Sequence, residues 1–286
     1  MNFHKPTADL LVPDGVPIPK AIKRTTHMAV VAHPDDIEVM ALDGVLACFA
    51  NPDKWFLGVV VTDGAGSART GPYANFTDEH MKRVRRVEQC KAATIGEFGA
   101  QVFLDYPSKE IKDPKNKDAV EDISQVLDAA RPETLYVHNL ADKHPTHIGV
   151  ALKTIAAIRS LPKSARPSQV YGCEVWRDLD WMLDEEKVVF NLDSHENMAT
   201  ALIGVFDSQV SGGKRYDLAI QGRRRANATF YQSHSVDNAQ FMNFAMDLTP
   251  LAQDDSLDVA EYVLGHIDRF RESVARNLQG YREAQD

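Results

Sequence analysis

Short, uniformly apolar runs, each followed by a polar turn and then a helical repeat, recur along the first 160 residues and leave few folds open. The runs are HMAVVA (27–32), WFLGVVVTDG (55–64), QVFLDY (101–106) and TLYVHN (134–139). A strand solvated on one face alternates apolar with polar residues; these do not, as expected of strands covered on both faces. Between them, residues 39–50, 78–98 and 117–130 repeat their apolar positions at helical spacing, with Met81, Val84, Val87, Ala92 and Ile95 along one side of the second. Pro132 follows the third, and a fourth helix is expected from about His144. Strand and helix in alternation predict an α/β sandwich around a mostly parallel sheet. In such sheets the ligand crevice lies beyond the carboxyl ends of the strands.

The rest of the chain elaborates this core. Residues 169–179 are expected as another strand, 194–209 and 214–231 as helices, and 256–282 as a closing amphipathic helix. Residues 1–26, with Pro13, Pro17 and Pro19, are expected as an irregular leading arm, and 27–286 as a single domain with C-terminal helices. No internal repeat or long linker divides the chain.

With 32 Lys and Arg against 41 Asp and Glu, the net charge is −9, which disfavours a nucleic-acid partner. Cys48, Cys90 and Cys173 are odd in number and widely spaced, so neither a disulfide framework nor a CxxC metal pair is expected. No secretory leader is seen and no stretch reaches the roughly 18 apolar residues of a membrane span. The expected setting is the cytoplasm.

Two clusters carry the chemistry, and each follows a strand. The first is Ala32-His33-Pro34-Asp35-Asp36-Ile37-Glu38, after the first strand. Pro34 suits a helix start, and the positive helix terminus favours ionised carboxylates there. Taken alone, Asp35 or Asp36 serves equally well as a helix cap. The second cluster is Asp142-Lys143-His144-Pro145-Thr146-His147, after the fourth strand; its histidines, three apart, share one side of a helical turn. Two strand ends thus offer imidazole and carboxylate to one crevice. Zinc accepts two imidazoles and a carboxylate and keeps a position open for water. His33, Asp36 and His147 meet that count, with one ion per chain. Asp35 is then free as a general base, and His144 as a general acid or oxyanion partner. Ferrous iron suits the same donors.

AHPDDIE, the later D-x-H-x-x-H and the TDG loop together resemble the LmbE-like (PIG-L) family of zinc-dependent N-deacetylases. Arg85-x-x-Glu88 with Ala92 and Gly96 is similar to the family's arginine-bearing helix, and Asp207-Ser208-Gln209 to its late Ser-Gln. The resemblance spans roughly residues 27–210. It implies a Rossmann-like three-layer fold and hydrolysis of an N-acyl, usually N-acetyl, group on an N-acetylglucosamine-type sugar or conjugate. It implies zinc on His33, Asp36 and His147, Asp35 as base, and His144 stabilising the tetrahedral intermediate or protonating the leaving amine. Arg85 would hold substrate, and Asp142 is placed with it on the substrate side. Many members carry aspartate where this chain has Thr146, a charge that Asp142 would have to replace, and histidine where it has Phe206. Trimers or hexamers are common in the family. A zinc amidase trimming a secondary metabolite, lipid or thiol conjugate fits the same ligands. A non-catalytic binding protein on this fold does not need both Asp35 and His144.

Weaker signals remain. Asp63-Gly64-Ala65-Gly66 lacks the third glycine of a dinucleotide loop, Arg69 standing in its place, so no nucleotide cofactor is expected. Glu38 fits a supporting or capping role as well as a catalytic one. His138 and His234 are read as ordinary structural histidines, with His234 in a loop suited to lining a site. Trp176 and Trp181 are placed near a strand end, where stacking on a sugar is an option.

Overall fold

The structure, a computed structural model, describes residues 1–283; residues 284–286 of the expected domain lie outside them. In chain order the strands are β1 (Asp9–Leu11), β2 (His27–Val31), β3 (Phe56–Thr62), β4 (Ala100–Tyr106), β5 (Thr134–His138), β6 (Gln169–Cys173), β7 (Lys187–Asn191) and β8 (Met242–Asp247). The helices are α1 (Ile18–Lys23), α2 (Asp36–Met40), α3 (Leu42–Cys48), α4 (Asp78–Ile95), α5 (Ser108–Lys112) and α6 (Asp118–Ala130), then α7 (Pro145–Ser160), α8 (Glu196–Gly204), α9 (Asp207–Val210), α10 (Tyr216–Phe230), α11 (Thr249–Gln253) and α12 (Val259–Glu283). The eight strands form one sheet in the order β1-β4-β3-β2-β5-β6-β8-β7. From β4 to β6 the pairing is parallel; β1, β8 and β7 join antiparallel.

Successive residues of β2 enter opposite cores, as the pleat requires. Met28 and Val30 pack with Ile123 and Val126 of α6 and Ile158 of α7. Ala29 and Val31 pack with Ile37 of α2, Leu42 of α3 and Phe98. Helices on both faces make this the expected Rossmann-like three-layer sandwich with helical additions toward the C-terminus. The chain runs outward from β2 through β3 to β4, then returns to place β5 on the other side of β2. The direction of winding reverses between β2 and β5, and a crevice opens there beyond their carboxyl ends.

Local details tighten this geometry. Thr77 caps α4, its hydroxyl accepting from the His80 N–H at 3.2 Å. On β3, Gly58 lets α2 settle onto the sheet: a Cβ there would lie 2.7 Å from Ile37 Cδ1. Among the described residues, no helix is long and apolar enough to cross a membrane.

Several elements differ from the sequence reading. Residues 1–26 are not irregular: β1 pairs with β4, Leu10 opposite Val102, and α1 buries Ala21 and Ile22. The single helix expected over 39–50 is two, α2 and α3, broken where Ala41 leaves helical geometry (φ −110°, ψ 21°). The strand expected over 169–179 ends at Cys173, and β7 and β8 extend the sheet beyond it.

Candidate metal centre and active-site cavity

The two clusters meet because β2 and β5 are parallel neighbours in register, His27 beside Thr134 and Val30 beside Val137. Their chains leave the sheet side by side, one into His33–Asp36 and the other into Asp142–His147. Pro145 opens α7 as its first residue, which sets His144 at the cap and His147 on the first turn.

Three donor atoms converge from these loops. His33 Nδ1 lies 3.2 Å from Asp36 Oδ2 and 3.2 Å from His147 Nε2, and His147 Nε2 lies 3.5 Å from the same Asp36 oxygen. Ligands at about 2.0–2.1 Å from a tetrahedral ion stand roughly 3.3–3.4 Å apart. The donor triangle therefore has the dimensions of one face of a zinc tetrahedron, and the residues fit such an ion. His33 also faces His144, ring centroids 5.0 Å apart, and these two with His147 form an alternative donor group.

Hydrogen bonds fix the tautomers. Asp142 Oδ2 lies 3.0 Å from His147 Nδ1, so that nitrogen carries the proton and Nε2 keeps its lone pair. Burial, with His138 stacked 3.9 Å away, pushes His147 down to about 4, so its imidazole is neutral at pH 7. Burial alone would raise Asp36, but the imidazoles of His147, His138 and His33 hold it well below the usual carboxylate range.

Asp142 is not among the residues that line the cavity. It is buried, and it accepts from three donors: His147 Nδ1, the His144 N–H at 3.1 Å and the Val175 N–H at 3.3 Å. Its partner is the ring of His147, not that of His144, so it orients an expected ligand and does not replace the charge missing at Thr146. Thr146 itself is buried.

Asp35 sits beside the donor triangle with a left-handed backbone, φ 91°, which aims its carboxylate away from the helix it would otherwise cap. No side-chain cap bond forms there. Its Oδ1 is 3.1 Å from Arg85 Nη2, and its N–H donates to Gln89 Oε1 at 3.1 Å. Burial raises the Asp35 carboxyl and Arg85 opposes the rise. Gln89 also donates to Glu38 Oε1 at 2.8 Å, so Glu38, fully buried, supports the loop from behind.

Arg85, on α4, lines the cavity yet is almost wholly buried. It donates to the Pro34 carbonyl, contacts Glu88 at 3.5 Å and lies over the Phe206 ring at 5.7 Å. Glu88 in turn accepts from the Ser208 N–H and hydroxyl, both at 2.7 Å. The Arg-x-x-Glu and Ser-Gln segments are thus one buried network behind Asp35. Gly64, at φ 71°, lets the TDG loop pass: a Cβ there would stand 3.1 Å from the Arg85 side chain.

The residue that sequence reading left aside is His138, the last of β5. It is fully buried, and its Nε2 accepts the Ala32 N–H at 2.8 Å. That bond occupies the lone pair facing Asp36, which argues against His138 as the ligand in the second donor group, Asp36–His138–His147. Its strand-end position beside β2 was the available signal. His144 turns its ring into the cavity and stacks against Trp176, centroids 6.4 Å apart at 12°. Burial, then His33, lowers its pKa. The cavity measures about 470 Å³, within the range of small-molecule sites. His234 is exposed and outside it, and Trp181 bonds Glu174 at 3.1 Å instead of lining it.

Several solved structures share this fold. N,N'-diacetylchitobiose deacetylase from Pyrococcus horikoshii superposes with a TM-score of 0.63 at 13% identity, over 82% of this chain and 88% of that one. The 4-carboxy-2-hydroxymuconate hydratase GalB from Pseudomonas putida gives 0.62 at 18% identity, over 78% and 96%. The A40926 pseudoaglycone deacetylase Dbv21 gives 0.55 at 15%, over 78% and 97%. No curated protein sequence matches the chain. Residues 28–158 match the family described as PIG-L: GlcNAc-PI de-N-acetylase, a stretch that contains both donor loops. The chain thus carries a PIG-L family domain over residues 28–158.

Proposed function

We propose that the protein is a zinc-dependent N-deacetylase acting on an N-acyl amino sugar or its conjugate. One observation carries the reading: His33 Nδ1, Asp36 Oδ2 and His147 Nε2 lie within 3.5 Å of one another at a cavity that Asp35 and His144 also line. These three residues would hold the ion, which when bound supplies Lewis acidity toward water and an amide carbonyl. Asp35 accepts the proton of the attacking water, and Arg85 keeps that carboxylate in place. His144, its ring 5.0 Å from that of His33, donates to the developing oxyanion or to the departing amine as the carbon–nitrogen bond breaks. Buried Asp142 and His138 keep the His147 ring in one orientation.

Similar structures include an N,N'-diacetylchitobiose deacetylase and the A40926 pseudoaglycone deacetylase, which supports an acylated amino sugar as substrate. The test is amine release from N-acetylglucosamine and its conjugates by zinc-loaded and metal-stripped protein. Activity should need the metal, and Asp35→Ala should lose about 10²–10⁴-fold while keeping its zinc. Release from no N-acetyl amino sugar, or unchanged activity in Asp35→Ala, would refute the reading.

A further inference from the structure

Apart from the donor triangle and Asp35, the charged lining of the cavity is cationic, in a chain whose net charge is −9. Among the residues lining it, the only carboxylates are Asp35 and Asp36, and both are committed: Asp35 to Arg85, Asp36 to the imidazoles. The other charged wall residues beside Arg85 are Lys112, Lys214 and Arg223. They come from three separate segments: the last residue of α5, the loop after α9, and the middle of α10. One solvated helix face would not gather them.

Lys112 and Lys214 form no ion pair with any described residue, whereas the next residue, Arg215, is matched by Asp217 at 2.7 Å. Lys214 Nζ instead lies over the Trp176 ring at 5.4 Å, and Lys143 Nζ approaches the same ring at 6.0 Å. Arg223 donates to the Val175 carbonyl at 2.6 Å, which fixes its guanidinium beside the cavity, partly balanced by Asp178. Tyr216 meets the Trp176 ring edge-on at 6.1 Å, and His144 stacks on it. The Trp176 ring, with the ammonium groups of Lys214 and Lys143 beside it, suits a ring-bearing molecule with a negative substituent.

We propose that the cavity selects an N-acyl compound that also carries an anionic group, a carboxylate or a phosphate, which the cationic lining, Lys112 and Lys214 above all, favours while its ring lies against Trp176. This rests on the hydrolase reading for the acyl group but not for the anion. Two exposed ammonium groups lining one cavity give a preference of about tenfold over the neutral parent.

The experiment is calorimetric binding to the full chain of N-acetylglucosamine, N-acetylglucosamine 6-phosphate and N-acetylmuramic acid, at low and high ionic strength. Either anionic compound should bind about tenfold more tightly than the neutral sugar at low salt. That ratio should fall toward one at high salt and in the double variant Lys112→Gln/Lys214→Gln. Tighter binding of the phosphate alone, of the carboxylate alone, or of both identifies the anion accepted. Equal affinities, no binding of any of the three, or a preference that survives in the double variant overturns the proposal. Acetate release separates the two readings. A lysine-dependent preference without hydrolysis defeats the hydrolase reading and leaves the anion site. Equal hydrolysis of all three without preference does the reverse.

Discussion

Replacing Asp142 by asparagine should weaken zinc binding without touching any of the three proposed ligands. Asp142 receives three N–H groups on its two oxygens: His147 Nδ1 and the Val175 amide on one, the His144 amide on the other. An asparagine has one oxygen. If it serves His147 and Val175, its amide nitrogen faces the His144 N–H, donor against donor. If it serves His144, the His147 ring loses its acceptor and its tautomer. The first orientation is the better, and it leaves one buried donor unsatisfied, a cost of about 1–3 kcal/mol to the metal-free fold. The carboxylate charge that makes the imidazole more basic is lost in either case. Loss of such a partner to a ligating histidine lowers metal affinity by about 10–100-fold, or roughly 1.4–2.8 kcal/mol. Zinc affinity is measured by competition with a chromophoric chelator, and metal-free stability by urea unfolding. A folded variant whose zinc affinity stays within about twofold of the parent would refute the reasoning, because Asp142 would then have no hold on the ligand set.

Glu88→Ala should destabilise the protein by about 3–5 kcal/mol, since it leaves the Arg85 guanidinium with one buried partner fewer and frees both Ser208 donors; urea unfolding checks it. Gly44→Ala improves helix propensity by up to about 1 kcal/mol, yet its Cβ would fall 2.5 Å from Tyr136 Cε2, so a net loss of about 1–2 kcal/mol in thermal unfolding is expected. His4→Ala tests a pH effect. The Asp122 carboxylate, 2.8 Å away, raises His4 above its ordinary 6.5, with Asp118 and Glu121 adding to it. A raised histidine stabilises the fold fully below its unfolded pKa, and the benefit fades as pH rises through the folded value. The stability gap between parent and variant should therefore be widest below pH 6.5 and close above it; a gap that widens with pH would contradict the assignment.

The parallel core was legible because strands covered on both faces must be apolar throughout, and Val30, Val59, Val102 and Val137 are all buried. The donor loops were legible because topology puts ligands at strand ends, and β2 and β5 proved adjacent. The flanking elements were not. β1 is three residues long, and nothing in Asp9-Leu10-Leu11 foretells a partner some ninety positions away. Lys187-Val-Val-Phe-Asn and Met242–Asp247 become strands through pairing with each other and with β6, a non-local contact without a local signature. The sequence sets Asp142 beside His144, while the turn swings it under His147, five residues on, which spacing alone does not reveal. His138 passed as structural because a lone histidine in an apolar strand usually is; only its reach to the Ala32 amide reveals its place beneath the donors.

The antiparallel β1 has a consequence of another kind. Its three residues pair with Gln101, Val102 and Phe103 of β4, which is otherwise the outermost parallel strand on that side and is largely apolar. An uncovered strand of that length presents unpaired amides and carbonyls to any passing chain. Removing the first eleven residues should therefore promote self-association, the bared edge of β4 pairing with a strand of a second copy while the cavity stays intact.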